Sequence, residues 1–492
     1  MAKFNEKNTN KTLNREGFAA YKMREKEHLV TAVLTTMFGE PKFYGSTDED
    51  IYNLASSVAE IDPSFLCKLA CYARNEFNMR SVSHVLACVI AREACEYTRA
   101  TIRNIIVRPD DITEIMACYL QMYGKPFPNA LKKEIAVQMQ KFNEYSLAKY
   151  NSRRLSMKFR DVLRITHPTP KDKETEALFR KVLDDTLKTP YSWETELSEK
   201  GNTKEVWDEL IASGKVGYMA LLRNLRNIIK CGADVTPVLE ILSDEERVKK
   251  SRQLPFRFYS AYRMLQQEGL MTPEIHQALE KALTTSVQNI EIIPGRTLIA
   301  VDVSGSMTST ISIKSTVRCS DIAGLLGAMA SRICEDATVC YFDCMNWSGL
   351  PDKKGYFVKH YGKYDSILEI CRNNRFDGGG TEMELPMLFA LEEDKTARIK
   401  PFDRVIYFSD DQCNYSRGGL KTVQSFVDQY RERFNPDFWV HGVDLQGYGT
   451  QQFCGKNFNL IAGWSEKVLD FILLAEKGMG SLVQTIEEYD VK

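Results

Sequence analysis

Near Gly295 the hydrophobic pattern of the chain changes period, and this restricts the fold more than any single motif. Before that point apolar residues recur at i, i+3 and i+4. The spacing predicts helices over Ile51–Glu60, Pro63–Asn75, Ser81–Thr98, Pro109–Tyr123, Ala130–Tyr150 and Val216–Lys230. Strand alternation is nearly absent there. Proline occupies or adjoins a first turn at Asp62-Pro63 and Arg108-Pro109-Asp110, and Pro126-Phe127-Pro128 precedes a helix near Asn129. Helices of this length with short joints imply stacked antiparallel pairs. An α-solenoid of HEAT type is therefore expected, although no strict sequence period marks it.

After Gly295 short apolar runs alternate with helical stretches. Strands are expected at Thr297–Asp302, Thr338–Phe342, Arg404–Phe408 and Phe438–Val443. Helices are expected at Ser320–Cys334, Tyr364–Cys371, Glu384–Leu391, Leu420–Phe434 and Glu466–Leu474. This alternation is the signature of a doubly wound, Rossmann-like α/β domain, whose ligands sit where strands end and loops begin. The expected division is a helical module over 1–292 and an α/β domain over 293–492. A length of 492 residues suits two or three domains.

Charge argues against a bulk polyanion binder, because 65 Lys and Arg face 66 Asp and Glu. The split is uneven: residues 1–290 hold 43 basic and 38 acidic groups, leaving 22 and 28 for the remainder, or +5 against −6. Thirteen cysteines, an odd number without a CxxC pair, favour reduced thiols in a cytoplasmic setting over disulfides or a zinc ribbon. The polar start MAKFNEKNTNKTLN and the lack of an 18-residue apolar run predict neither signal peptide nor membrane span.

Three segments of the α/β region carry metal chemistry. Asp302-Val303-Ser304-Gly305-Ser306-Met307 places a carboxylate and two hydroxyls at alternate positions of a tight loop. Asp377-Gly378-Gly379-Gly380-Thr381 supplies a hydroxyl from a loop whose glycines admit close backbone approach, and Tyr407-Phe408-Ser409-Asp410-Asp411 puts carboxylates at a strand end. Taken singly, each reads as a helix cap or turn. Together they form a hard oxygen donor set suited to Mg²⁺ or Mn²⁺ rather than Zn²⁺. DVSGSM, GGGT and SDD resemble the metal-ion-dependent adhesion site of von Willebrand factor A domains. The resemblance implies Asp302, Ser304, Ser306, Thr381 and Asp410 as ligands, with Asp411 an additional acid.

Between Lys141 and Pro170 seven basic residues (Lys141, Lys149, Arg153, Arg154, Lys158, Arg160 and Arg164) face only Glu144 and Asp161, a surplus of +5. His167 follows, and Tyr150 and Phe159 are candidate stacking surfaces. Such a stretch can hold phosphates and stack unpaired bases, or can be a solvated helix face. Arg74 and Arg80 are open between lining an RNA-facing hole and pairing with Glu76 and neighbouring acids.

The first region resembles the TROVE module, and especially bacterial Ro autoantigen-like proteins. The resemblance rests on Asn14-Arg15-Glu16-Gly17, Leu29–Tyr44, Ala73-Arg74 with Arg80, Asp161–Pro168, Ala220–Leu225 (ALLRNL) and Leu254-Pro255-Phe256-Arg257. It implies a monomeric ring of helical repeats closed by an A domain. The ring would hold Y-like small noncoding RNA outside and single-stranded ends of misfolded RNA in a positive hole, with an exoribonuclease as possible partner. Lys149, Arg153, Arg164 and His167 are the positions matched to RNA binding, with Arg154, Lys158 and Arg160 as charged neighbours. Neither DNA nor membrane is an expected partner.

No P-loop, GxGxxG or HExxH is present. The expectation is a non-enzymatic RNA quality-control protein. The alternatives are a Mg²⁺-dependent phosphohydrolase or nuclease using Asp302, Asp410 and Asp411, and a protein-interaction scaffold with metal-dependent docking.

Overall fold

The computed structural model describes residues 11–35, 47–151, 157–253, 255–287, 291–310, 317–344, 354–362, 364–373, 379–396, 400–414, 423–463, 466–478 and 481–491. They divide into two compact units, one comprising 47–201 with 485–491 and the other 11–35 with 202–484.

The first unit is helical from Thr47–Ile61 to Trp193–Lys200. Its centre is Ser81–Glu93, which is buried on every side from Val82 to Ala91 and packs against both Pro63–Asn75 and Pro109–Tyr123. A helix buried all round is stable only as such an inner element, and its buried polar groups need partners, as His84 finds in Asp111. Asp62 caps the helix Pro63–Asn75 by accepting from the Phe65 amide, with proline in the first turn. Two helices expected to be continuous are broken. Ser81–Thr98 ends at Glu93 and restarts as Thr98–Ile105, and Ala130–Tyr150 divides into Asn129–Met139 and Glu144–Tyr150. At the second break Asn143 accepts from the Ser146 amide, so a side-chain cap competes with continuation of the helix.

The second unit joins the helices from Lys204–Ala212 to Pro273–Ser286 to the α/β fold. Its strands are β1 (Lys11–Leu13), β2 (Ala19–Lys22), β3 (Ile293–Asp302), β4 (Cys334–Phe342), β5 (Tyr356–Lys359), β6 (Arg404–Ser409), β7 (Trp439–Asp444), β8 (Thr450–Gln451) and β9 (Phe458–Ala462). The main sheet has the order β5-β4-β3-β6-β7-β9, parallel except for β5. Leu298 and Ala300 of β3 join a core with Leu385, Met387, Val427 and Tyr430, whereas Ile299 and Val301 face Gly327 of the helix Cys319–Ile333. The sheet is thus covered on both faces, which explains the continuous apolar strands.

The expected helical region followed by a doubly wound α/β domain is what the chain forms. The hairpin β1–β2 was not anticipated. It extends a small antiparallel sheet with β8, pairing Tyr21 with Gln451 and Lys22 with Thr450. Among the described residues no helix is long and apolar enough to cross a membrane.

Candidate functional site

The first strand of the α/β fold, β3, lies inside the sheet, with β4 on one side and β6 on the other. The order reverses between β3 and β6, and in such sheets the carboxyl ends of the two strands at the reversal are where ligands bind. Asp302 ends β3, and Asp410 follows Ser409 at the end of β6. The Gly305 amide donates to the Gly379 carbonyl at 2.8 Å, holding the first motif against the glycine loop. Asn414 Oδ1 accepts from the Thr381 amide at 2.6 Å, tying that loop to the segment after Asp410. Asp377 and Gly378 lie outside the described residues.

Asp302, Ser304, Thr381 and Asp410 are all buried. Asp302 Oδ1 accepts from the Ser304 amide at 2.9 Å and Oδ2 from the Ser409 hydroxyl at 2.5 Å, while Ser304 Oγ lies 3.4 Å from Ser306 Oγ. Burial raises the Asp302 carboxyl above its ordinary range, opposed by bonds from Ser304 and Ser409. Burial also pushes Asp410 up to about 8, reinforced by the charges of Asp302 and Asp444 and opposed by bonds from Ser306 and the Gln412 amide. Asp410 Oδ2 is buried without a hydrogen-bond partner. An acid in this state needs a proton or a cation.

The neighbourhood holds further acids. Burial lifts Asp343 to about 7, with Asp302 and Glu382 contributing, and raises Asp411 well above its usual value through burial and then Asp444, Asp410 and Asp302. Among the described residues none of Asp302, Asp343, Asp410 and Asp411 pairs with a basic side chain. No three Asp, Glu, His or Cys side chains among them are grouped closely enough to hold an ion. A cation here therefore requires the hydroxyls, and two carboxylates with Ser304, Ser306 and Thr381 fit a hard divalent ion. Sequence reasoning missed Asp343, Asp444, Ser409 and Asn414. The signal for Asp343 and Asp444 was present, since each follows or ends an apolar strand, in TVCYFD and FWVHGVD.

In the other unit, the helix Phe159–Thr166 buries Phe159, Val162 and Leu163. Phe159 is thus an anchor and no stacking surface, correcting that expectation. Lys158 is the N-cap residue, and its amide donates to Asp161 Oδ2 at 3.0 Å. Arg160 and Arg164, four apart, share one side of the helix, and His167 follows as its C-cap. Arg160 is partly covered, with Nε 4.0 Å from Asp161, while Arg164 and His167 are exposed. Among the described residues neither Arg164 nor His167 has a carboxylate partner. His167 ends the helix in the left-handed region at φ 45°.

Lys149 is exposed on the separate helix Glu144–Tyr150, its Nζ 5.8 Å from the Tyr150 ring centroid, and Arg108 covers the same ring at 4.7 Å. Arg153 and Arg154 lie outside the described residues. Arg74 and Arg80 are structural: Asp111 receives Arg74 at 3.1 Å and Arg80 at 2.5 Å, and Arg80 also pairs with Asp110 and Glu114.

Comparison with known proteins agrees with this architecture. The TROVE domain model matches residues 24–188 and 184–271, together half of the chain, and the Ro60 vWA domain model matches 296–442. The RNA-binding protein RO60 of Caenorhabditis elegans is 29% identical over 43% of this chain and 32% of its own length. That of Deinococcus radiodurans is 27% identical over 44% and 41%, respectively. Telomerase protein component 1 of Rattus norvegicus is 25% identical over 44% of this chain and 12% of its own length. The matched part therefore spans less than half of each of these curated relatives. The crystal structure of the Deinococcus radiodurans RO (RSR) protein superposes with a TM-score of 0.63, covering 92% of this chain and 100% of that one at 17% identity. With its helical half matched from residue 24 to 271 and its sheet matched as a Ro60 vWA domain, the chain belongs to the TROVE family, in its Ro form.

Proposed function

We propose that this chain is a non-enzymatic RNA-binding protein of Ro type, acting in a reducing cytoplasmic compartment on small noncoding Y-like RNA and on unpaired ends of misfolded RNA. The observation that carries the reading is the exposed pair Arg164 and His167, in the last turn and at the C-cap of a helix of the TROVE-matched region, with no carboxylate partner among the described residues. An arginine so placed holds phosphate without first breaking an ion pair, and an imidazole adds a ring N–H donor. The relatives named RNA-binding protein RO60 support the same assignment. Lys149, Lys158 and Arg160 supply further positive charge, as do Arg153 and Arg154 by sequence. A role in RNA quality control and the tethering of an exoribonuclease through the bound RNA belong to this proposal, as does a monomeric state.

The Arg164→Ala, His167→Ala double variant is expected to bind small structured RNA roughly tenfold more weakly in a salt-controlled gel shift, with an unchanged melting temperature. Wild-type affinity in that variant would refute the assignment.

The α/β unit is proposed to hold Mg²⁺ or Mn²⁺ through Asp302, Ser304, Ser306, Thr381 and Asp410. A bound ion would neutralise the buried carboxylates and offer an electrophilic position to a carboxylate from a partner. This second reading, metal-dependent docking, is favoured by the orphaned Asp410 Oδ2. Asp302→Ala is expected to abolish Mg²⁺ binding in calorimetry, and equal binding would reject the ligand set.

A further inference from the structure

The turn Asn14-Arg15-Glu16-Gly17, one of the segments that carry the family likeness, has no role in the sites above. It closes the hairpin of β1 and β2. The Asn14 amide donates to the Phe18 carbonyl at 2.8 Å and the Gly17 amide to the Asn14 carbonyl at 3.0 Å, with Gly17 in the left-handed region at φ 81°. Asn14 Oδ1 accepts from the Phe18 amide at 2.9 Å, so one end of that side chain is engaged inside the turn. The other end reaches out of it. Asn14 Nδ2 donates to the Cys413 carbonyl at 2.6 Å, and the neighbouring Arg15 amide donates to Gln412 Oε1 at 3.0 Å.

The residues so held stand between two of the proposed metal ligands. The Gln412 amide donates to Asp410 Oδ1 at 3.2 Å, and Asp410 Oδ2 is the oxygen left without a hydrogen bond. Gln412 Nε2 donates to the Asp410 carbonyl at 3.3 Å and to Thr450 Oγ1 at 3.1 Å. Asn414 pairs with Thr381 twice, its Oδ1 accepting from the Thr381 amide at 2.6 Å and its amide donating to the Thr381 carbonyl at 3.2 Å. Cys413 lies between these two holders, and its carbonyl is the one Asn14 grips. Asn14, Gln412 and Cys413 are all buried, so water competes poorly for these bonds. The hairpin is itself fixed beside them: β2 pairs with β8, the Met23 amide donates to the Gly449 carbonyl at 3.1 Å, and the Arg15 guanidinium lies 4.6 Å over the Tyr448 ring.

We infer that Asn14 and Gln412 are positioning residues of the metal site, through which the N-terminal turn sets Asp410 and Thr381 relative to each other and thereby raises the affinity for a divalent cation. The inference rests on the Mg²⁺ reading of the α/β unit and deepens it. A carboxylate and a hydroxyl that come from different loops serve one ion well only when both loops are held, and outer partners that hold ligands in this way contribute roughly 10–100-fold in metal affinity. The coupling is reciprocal. An ion that fixes Asp410 and Thr381 must also hold the turn in place, by the same factor.

The test uses the full chain with Mg²⁺ alone as the probe, titrated by calorimetry and followed by hydrogen exchange at the Arg15 amide. Asn14→Asp keeps the acceptor for the Phe18 amide and loses the donor to Cys413, and it is expected to bind Mg²⁺ about tenfold more weakly. The added carboxyl, where ionised, would by itself favour a cation, so a loss reports the missing donor. Gln412→Ala should lose a similar factor at unchanged stoichiometry. In the wild type, saturating Mg²⁺ should slow exchange at the Arg15 amide by about the factor the variants lose, and should have no effect on it in Asp302→Ala. A hairpin with a purely structural role would exchange at one rate with or without the ion, and this comparison needs no altered hairpin should a variant fail to fold. Wild-type affinity in a folded variant removes that residue from the role, and an Arg15 rate that Mg²⁺ leaves unchanged overturns the coupling as a whole. A wild type that binds no Mg²⁺, or binding that survives Asp302→Ala, overturns the ligand set itself.

Discussion

Asp111 illustrates what one buried carboxylate does in the helical unit. It is completely buried, accepts from Arg74, Arg80 and His84, and receives the amides of Val107 and Arg108 at 3.0 and 2.8 Å, which starts the helix Pro109–Tyr123. Burial opposes its ionisation, but the bond from His84, the charges of Arg74 and His84 and the bond from Arg80 hold the carboxyl far below its ordinary value. A depressed folded-state pKa gives stability that is present above the unfolded value, near 3.9, and lost as pH falls toward the folded one. Asp111→Asn should therefore cost roughly 3–5 kcal/mol at neutral pH, since Arg74 is left buried and uncompensated. Between pH 5 and pH 3 the variant should lose less stability than the wild type, as followed by urea unfolding at each pH. The ionic partners of Arg74 and Arg80 were not legible in sequence. Asp111 is 37 residues from Arg74, and only pairs three or four residues apart on one helix can be read from spacing.

At the scale of elements, helix and sheet pack closely where Cys319–Ile333 crosses β3. A Cβ added at Gly327 would lie 2.7 Å from Val301 Cγ2. Gly327→Ala should therefore destabilise the chain by about 1–3 kcal/mol, with Val301→Ala in the same chain recovering part of the loss, both read from thermal unfolding. The four principal strands were legible because apolar runs bounded by turns have few other uses. Their extents grew once neighbours supplied hydrogen bonds, as β4 extends from the expected Thr338 back to Cys334. β5 and β9 escaped notice because each is short, and its pairing partner, β4 or β7, decides its state.

Across the whole second unit, the N-terminal hairpin reaches the segment that follows the candidate metal ligand. Asn14 Nδ2 donates to the Cys413 carbonyl at 2.6 Å across 399 residues of sequence, the Arg15 amide donates to Gln412 Oε1 at 3.0 Å, and the Gln412 amide donates to Asp410 Oδ1 at 3.2 Å. Asn14→Ala should cost about 1–2 kcal/mol by removing the buried hydrogen bond to the Cys413 carbonyl, and hydrogen exchange at Gln412–Asn414 should quicken. Unaltered exchange there would show that the hairpin does not hold the loop. By itself the sequence determined the change from helical to strand–helix texture, the oxygen-rich loops after apolar runs, and the basic stretch, because each is a local pattern of spacing or composition. Only the tertiary structure decided which arginines are neutralised, that Phe159 is an anchor and not a stacking surface, and that Asn14 and Arg15 support a loop about 400 residues further along the sequence. Those outcomes depend on distances between elements, which local periodicity does not encode.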